Sequence, residues 1–197
     1  MAGGGTRTEY EIEIEPEVRA WLRDCSLAEY RAAERAADRL AEDGELLPFP
    51  LSSHLGGPVR ELRIGPMRPS CPEGVRGRAH TGRRPLGLRQ GRGGAMSSGY
   101  HTRWVVPPEH RGSEEYRAAG RRMSLAEAVY ARRSALGWTL AELAEKAGLD
   151  EETVESIEES GVDPTLPLIE RLAAAFDAVV RIDPGREPAM RFEAHAA

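Results

Sequence analysis

The most regular pattern of apolar and polar positions lies in residues 139–158, which read TLAELAEKAGLDEETVESIE. In its first half the apolar residues recur at i, i+3, i+4 and i+7, the spacing of one face of an α-helix. Thr139 opens this helix and Glu142 follows three residues later, so each side chain can satisfy the other's free amide. Gly148 ends the helix, and two aliphatic residues beyond it give a second short helix an apolar edge. The pattern predicts two crossing helices joined by a tight turn.

Further helices are predicted on both sides of this pair. Residues 113–122 have helical spacing, and Ser124 with Glu127 repeats the capping pattern, which predicts that a new helix begins at Ser124. Downstream, Thr165 suits a helix cap and Pro167 suits a first helical turn, and apolar residues at helical spacing follow them. We therefore expect four to five helices in this half of the chain.

Near the C-terminus the pattern changes from the period of a helix to that of a strand. The sequence AVVRIDPG alternates aliphatic and polar residues until a Pro-Gly pair interrupts it. Met190 and Phe192 have the same alternation and predict a hairpin partner for this strand. The helical region is thus expected to end in a short strand or hairpin.

This order of elements resembles the helix-turn-helix of the XRE family of Cro/repressor-like regulators, which includes HigA-type antitoxins. The residues that match the motif in type and spacing are Leu143, Ala144, Gly148, Val154 and Ile157. The resemblance implies a mainly α fold, a homodimer, and double-stranded operator DNA as a partner. A generic four-helix bundle is the alternative.

The resemblance also implies, by position, which residues would meet DNA. The second helix of the motif would face the bases, with the candidates Glu151, Glu152, Thr153, Glu155 and Ser156. The first helix would face the phosphates, with the candidates Thr139 and Lys146. Further positive charge at the edge would come from Arg121, Arg122, Arg132 and Arg133.

The charge of the second helix departs from the pattern of a DNA-binding protein. Residues 150–159 contain six carboxylates and no basic side chain, and residues 113–177 contain 14 acidic and 7 basic side chains. DNA affinity comes largely from neutralising phosphates, although a glutamate can accept a hydrogen bond from cytosine N4. Leu140 also stands where the family often has glutamine. Two functions therefore compete, a DNA-binding autoregulator and a protein-interaction module whose acidic surface docks a basic RNA-cleaving toxin.

The N-terminal segment has a mixed pattern of strands and helices. Residues 10–14 alternate apolar residues with glutamates, as in a strand, and Pro16 suits the start of a short helix. Ser26 begins a longer helix through a third capping pattern, and Gly44 lies beyond its end. After a proline-rich loop, VRELRI at 59–64 alternates again and is typical of a strand.

This order, with the strand sequence ELRI, resembles the front half of RelE/HigB-type toxins, which are ribosome-associated mRNA endonucleases. The family's further strands, which carry its catalytic side chains, are missing, so we assign no catalytic residue. Arg60 and Arg63 would either touch RNA or lie on a solvated sheet face. A residual mRNA endonuclease remains a third functional alternative, and otherwise we expect no enzyme activity.

The middle of the chain is rich in Gly, Pro and Arg and has no apolar period. Residues 65–95 contain 7 basic and 1 acidic side chains, against a net charge of −5 for the whole chain. This composition predicts either a flexible linker or a basic arm for nucleic acid. A shift of reading frame after Ile64, with an antitoxin start near Met96, is a further hypothesis.

We therefore predict three segments in this chain. They are a truncated toxin-like, incomplete α+β segment (1–64), a disordered linker (65–112) and an XRE-type helix-turn-helix domain (113–197). No apolar run approaches 18 residues and no N-terminal signal pattern is present, which favours a cytoplasmic protein without a membrane partner. Cys25 and Cys71 lack metal-ligand spacing and the five histidines are scattered, so we assign no metal site and no cofactor.

Overall fold

A computed structural model describes most of the chain and leaves gaps mainly in its middle. The described residues are 11–14, 16–56, 59–65, 83–84, 87–89, 102–183 and 188–194. Within these ranges the fold is mostly helical, with six α-helices, and it ends in a two-stranded antiparallel hairpin. The predicted mainly α fold is confirmed at this level.

The N-terminal half forms a small α+β unit. Its elements are β1 (Glu11–Ile14), α1 (Pro16–Asp24), α2 (Leu27–Asp43), β2 (Ser52–Gly56) and β3 (Val59–Arg63). The capping pattern at the start of α2 is confirmed, since the Ser26 amide donates to Glu29 Oε2 at 2.8 Å and the Glu29 amide donates to Ser26 Oγ at 3.4 Å. At the other end, the Gly44 amide bonds the Leu40 carbonyl. Strand β2 was not predicted, because its sequence SSHLG has no alternating apolar period.

Three short strands lie within the segment that was predicted to be a disordered linker. They are β4 (Arg83–Arg84), β5 (Gly87–Arg89) and β6 (Thr102–Trp104). Strands β5 and β6 pair with the two edges of β1, and β4 pairs with β3. Strands of two or three residues are too short to produce a recognisable pattern. The segment boundaries at 64 and 112 stay a prediction, and much of residues 66–101 lies outside the described residues.

The helix before the predicted motif differs from the prediction. We expected one helix at 113–122 and a second that begins at Ser124, but α3 runs without interruption over Glu114–Ala135. Ser113 caps it by accepting a hydrogen bond from the Tyr116 amide at 3.3 Å. The prediction was wrong at Ser124, which is buried inside the helix. No glycine or proline separates the two stretches at 121–124, so a helix that is already nucleated simply propagates through them.

The remaining elements agree with the predicted order. They are α4 (Leu140–Ala147), α5 (Glu151–Glu158), α6 (Leu166–Ala175), β7 (Ala178–Asp183) and β8 (Ala189–Ala194). One apolar core joins α3 to these elements, and its fully buried members are Leu125, Val129, Leu143, Val154, Ile157 and Leu172. The hairpin covers one end of this core, where the ring of Phe192 meets that of Phe176 edge-on at a centroid distance of 5.1 Å.

The N-terminal unit packs directly on the helical half, which comprises α3 to α6 and the hairpin of β7 and β8. Met123 of α3 belongs to the N-terminal apolar core, and the Phe49 and Tyr130 ring centroids lie 4.5 Å apart. Beside this contact, Arg39 of α2 donates to Glu127 of α3 at 2.8 Å. The backbone after β3 also reaches the end of α5 so closely that a Cβ on Gly65 would overlap the carbonyl oxygens there. The N-terminal segment is therefore built into the same packed body as α3.

Gly148 offers a test of the turn between α4 and α5. It has φ 63° and ψ 36°, the left-handed conformation that the sequence predicted, and no atom beyond its two chain neighbours lies within 4 Å of the position that a Cβ would take. Replacement by Ala should therefore lower the free energy of unfolding by about 1 kcal/mol through backbone strain alone. Urea denaturation of the full chain measures this loss.

The matched control is Gly112→Ala, since Gly112 likewise has open space around it and no positive φ. We expect that variant to unfold within about 0.5 kcal/mol of the original chain. Equal stability of the two variants would contradict the assignment of strain to the turn at Gly148.

Candidate DNA-binding surface

The start of α4 is fixed by a reciprocal cap. The Thr139 amide donates to Glu142 Oε2 at 2.7 Å, and the Glu142 amide donates to Thr139 Oγ1 at 3.1 Å. The hydrogen bond from the Thr139 amide, followed by that from its hydroxyl, holds the pKa of Glu142 below its ordinary value. The carboxylate thus stays ionised at the positive end of the helix, where a negative charge is favourable.

The turn after α4 sets where α5 begins. The Leu149 amide bonds the Ala144 carbonyl at 2.9 Å, which closes the last turn of α4 behind Gly148. Asp150 then caps α5, accepting from the Thr153 amide at 2.6 Å and from the Thr153 hydroxyl at 2.8 Å. The hydroxyl and amide bonds from Thr153 lower the pKa of Asp150. The Thr153 hydroxyl, a candidate base contact, is therefore engaged in the cap.

Helix α5 has one buried edge and one exposed face. Val154 and Ile157 are completely buried in the core. The opposite face carries the side chains that were predicted to point towards the bases. Of these candidates, Glu151, Glu152 and Glu155 are exposed, and Ser156 is half-buried near Gly161. The exposed face is accordingly acidic, as the sequence indicated.

Arg133 is used inside the fold. Its Nε and Nη2 donate to the two carboxylate oxygens of Glu158 at 2.6 and 2.7 Å, and its Nη1 donates to the Trp138 carbonyl at 2.7 Å. The hydrogen bonds with Glu158 hold the pKa of Arg133 above its usual range. This bidentate pair ties the end of α3 to the end of α5 and to the loop before α4.

The other three candidate arginines also have partners within the fold. Arg132 donates to the Phe176 carbonyl at 3.3 Å, at the end of α6. Arg122 pairs with Asp163 at 2.9 Å, in the loop before α6. Arg121 pairs with Glu114, seven positions back along α3. The charges of Arg121 and Arg122 are therefore partly balanced before any ligand binds, and contact of the three arginines with DNA stays a prediction.

Two cations lie beside the α4–α5 turn. Lys146 is exposed, with its Nζ 4.9 Å from the centroid of the Trp138 ring. Arg171 of α6 is also exposed and directs Nη1 towards the Gly148 carbonyl at 3.5 Å. We did not select Arg171 from the sequence, although residues 136–179 contain only these two basic side chains among 11 acidic ones. That count was the signal that would have identified it.

Two other classes of site are absent from the part of the chain that the structure describes. No group of three or more His, Cys, Asp and Glu side chains in those ranges could hold a metal ion. No helix described there is both long enough and apolar enough to cross a lipid bilayer.

Comparison with known proteins identifies the class of this motif. Residues 129–179 match the family model described as helix-turn-helix, which corresponds to the XRE type. The match begins within α3 and ends in β7, so it covers the core that supports α4 and α5. It spans about a quarter of the chain. No curated protein and no solved structure matched the chain.

The Arg133–Glu158 pair leads to a prediction about stability. The carboxylate side chain of Glu158 is 4% exposed, so Arg133→Gln leaves a buried charge without its cation. We expect a loss of about 3–5 kcal/mol in the free energy of unfolding. The double variant Arg133→Gln/Glu158→Gln should recover part of that loss, because it removes the buried charge as well.

Arg121→Gln is the matched control, since it breaks an exposed pair on the same helix. Its expected effect is about 0–1 kcal/mol. If urea denaturation gave Arg133→Gln the same stability as Arg121→Gln, the pair would not be an anchor of α5.

Proposed function

We propose that this chain is a DNA-binding transcription regulator that places α5 in the major groove of double-stranded DNA. The observation that carries the proposal is the helix-turn-helix at residues 129–179, in which α5 buries one edge and exposes the other. In this class of motif the second helix enters the groove and the first crosses the backbone. The family match supports DNA binding and transcription regulation.

In this mechanism the phosphates are met by groups beside α5. The amides at the start of α4 and the side chains of Lys146 and Arg171 provide the positive potential. On α5, the carboxylates of Glu151 and Glu152 act as acceptors for the amino groups of cytosines, which supplies discrimination and no attraction. We therefore expect weak binding by one copy. A two-fold dimer that places two α5 helices one helical turn of DNA apart would bind more tightly.

We further propose that the regulator is the antitoxin and autorepressor of a type II toxin–antitoxin pair. The support is the resemblance of the N-terminal sequence to the front half of a RelE/HigB-type toxin, and the structure adds the strand β2 between α2 and β3. The XRE type of the helix-turn-helix agrees with a HigA-type antitoxin. Cytoplasmic location and a homodimer belong to the same proposal.

Neutralising the face of α5 tests the DNA-binding proposal. Glu151→Gln/Glu152→Gln removes two exposed negative charges that would repel the DNA phosphates. Affinity for the DNA upstream of the gene should therefore rise roughly tenfold at low salt. Discrimination against unrelated DNA should fall, because two acceptors for cytosine are lost. Fluorescence anisotropy across a salt series measures both effects.

The control variant Asp24→Asn/Glu109→Gln removes the same charge from exposed sites outside the helix-turn-helix. We expect its DNA affinity to stay within about twofold of the original, since these exposed charges lie outside the helix-turn-helix and salt screens them. If the original chain shows no binding at low salt, DNA recognition is excluded. Equal affinity of the α5 variant and the control would exclude a groove position for α5.

A second candidate function is a protein-interaction module that neutralises a basic RNA-cleaving toxin with little DNA contact. The observation that favours it is the distribution of charge around α5. The carboxylates of Glu151, Glu152 and Glu155 face solvent, whereas Arg133 is held inside the fold by Glu158. Such a surface is complementary to an RNA-binding protein, which is itself positively charged.

Charge reversal on α5 separates these two functions. Glu151→Lys/Glu152→Lys should tighten DNA binding if α5 meets the groove, because it adds phosphate contacts. The same change should weaken binding of a purified RelE/HigB-type toxin encoded beside this gene by at least about tenfold if the acidic face is the docking surface. Binding of both ligands is measured by anisotropy and by titration calorimetry. Toxin affinity unchanged by the reversal would exclude the docking function of this face.

A further inference from the structure

A cleft lies along the first half of α3, where Arg35 of the N-terminal unit packs on that helix. It has a volume of about 790 Å³ and runs between the first half of α3, the turn at His110–Gly112, α2 and the C-terminal hairpin. Of the side chains that were predicted to meet DNA, Arg121 belongs to its described lining, whereas no described residue of α4 or α5 does. The size of the cleft falls in the range of clefts that hold small molecules, about 300–1,000 Å³.

Where α2 contributes to the cleft, the lining is polar and its side chains are closely packed. Arg35 of α2 is 4% exposed, and its Nη1 donates to the Tyr116 hydroxyl at 3.2 Å. Its guanidinium lies over the Tyr116 ring, 5.2 Å from the centroid. Arg35 can approach α3 this closely because residue 120 is glycine, where a Cβ would lie 3.1 Å from Arg35 Nε. The guanidinium is therefore fixed in place before any ligand binds.

Tyr116 stays protonated at this position. Burial raises the pKa of the Tyr116 hydroxyl to about 12, and its hydrogen bond to Asp38 acts in the same direction. The phenol thus remains a neutral donor to Asp38 and an acceptor from Arg35 at any physiological pH. Asp38 in turn accepts hydrogen bonds from both Nε and Nη2 of Arg111, at 2.7 and 2.9 Å. These bonds orient Arg35 and Arg111 along one side of the cleft.

The charged side chains among the described lining residues are all basic. The lining of the cleft, as far as the described residues go, includes the four arginines Arg35, Arg111, Arg117 and Arg121 and no carboxylate. Asp38 and Glu114 pair with two of these guanidinium groups from outside the lining. Several arginines in one concave site attract an anion, and the N–H groups that Asp38, Tyr116 and Glu114 do not occupy can donate to its oxygen atoms.

Other residues of the lining are apolar. Ile169 of α6 and Met190 of β8 are members of the C-terminal core and present their edges to the cleft, with 8% and 9% exposure. Ile182 of β7 extends this apolar lining into solvent, where it is 52% exposed. A bare inorganic ion would leave these side chains exposed to water, whereas a ligand with an apolar part would bury them, which is favourable.

We propose that this cleft binds a small amphipathic anion, with its carboxylate, sulfonate or phosphate head at the arginines and its apolar part against Ile169, Ile182 and Met190. The inference does not depend on DNA binding or on a toxin partner. The site is preorganised, because Tyr116 and Asp38 hold two of its arginines and the hairpin holds its apolar lining residues Ile182 and Met190. The volume of the cleft, about 790 Å³, is large enough for a drug-sized ligand.

The test uses the full chain and two defined probes. Octanoate is titrated by calorimetry, and 1-anilinonaphthalene-8-sulfonate is followed by the rise of its fluorescence. Both should bind with saturation at one site per chain and compete with each other. Inorganic phosphate is the third titrant, and it should bind at least about tenfold more weakly than octanoate because it has no apolar part.

Two variants probe the two parts of the lining. Arg117→Gln removes an exposed guanidinium from the lining and should weaken octanoate about tenfold, since a charge-assisted contact is lost. Ala189→Trp fills the cleft from the exposed start of β8 and should abolish binding of both organic probes. The matched controls are Arg23→Gln on α1 and Ala194→Trp at the exposed end of β8, which lie outside the lining and should leave both affinities unchanged.

Each result decides the question. Competitive one-site binding that is lost in Ala189→Trp and kept in Ala194→Trp supports the proposal. Non-saturating fluorescence, or probe binding equal in these two variants, overturns it. Phosphate affinity equal to that of octanoate overturns the amphipathic class of ligand. Circular dichroism of each variant confirms the folded state in which the comparison is made.

Discussion

The burial of one apolar edge of α5 is the constraint on which the functional surface depends. A helix of eight residues is marginal in water, so α5 exists because Val154 and Ile157 are sealed in the core formed by α3, α4 and α6. The same burial decides which side chains of α5 face solvent. The cap at Asp150 and the turn at Gly148 then fix the start of the helix, so the exposed carboxylates form one oriented surface.

Charge in the helical half follows from that packing. Arg133 lies on the inner side of α3, where Glu158 meets it, and Arg122 is held by Asp163. Arg133 and Arg122, which were predicted from the sequence to contact DNA, therefore stabilise the positions of α5 and of the loop before α6. The remaining surface around the motif is acidic, with Lys146 and Arg171 as its exposed cations among the described residues. Any nucleic acid would meet this protein through amides and a few cations.

The N-terminal unit packs against α3 and so joins the two halves of the chain. Helix α2 packs along α3, and contacts such as Arg39–Glu127 and Phe49–Tyr130 make the two halves one body. This contact also adds Arg35 of α2 to the arginine-lined cleft, whose other described lining residues lie between residues 108 and 190. The junction between the halves is thus a structural feature with its own chemistry.

The sequence by itself determined the features that rest on neighbours within a few residues. These are the caps at Ser26 and Thr139, the left-handed turn at Gly148, and the buried edges of α4 to α6. Only the tertiary structure decided the continuity of α3 through Ser124, the pairing of the two- and three-residue strands, and the partners of the arginines. The physical reason is distance along the chain. A cap or a helical period depends on residues within one or two helical turns of one another. In contrast, Arg133 and Glu158 are separated by 25 positions in the sequence, and Arg35 and Tyr116 by 81.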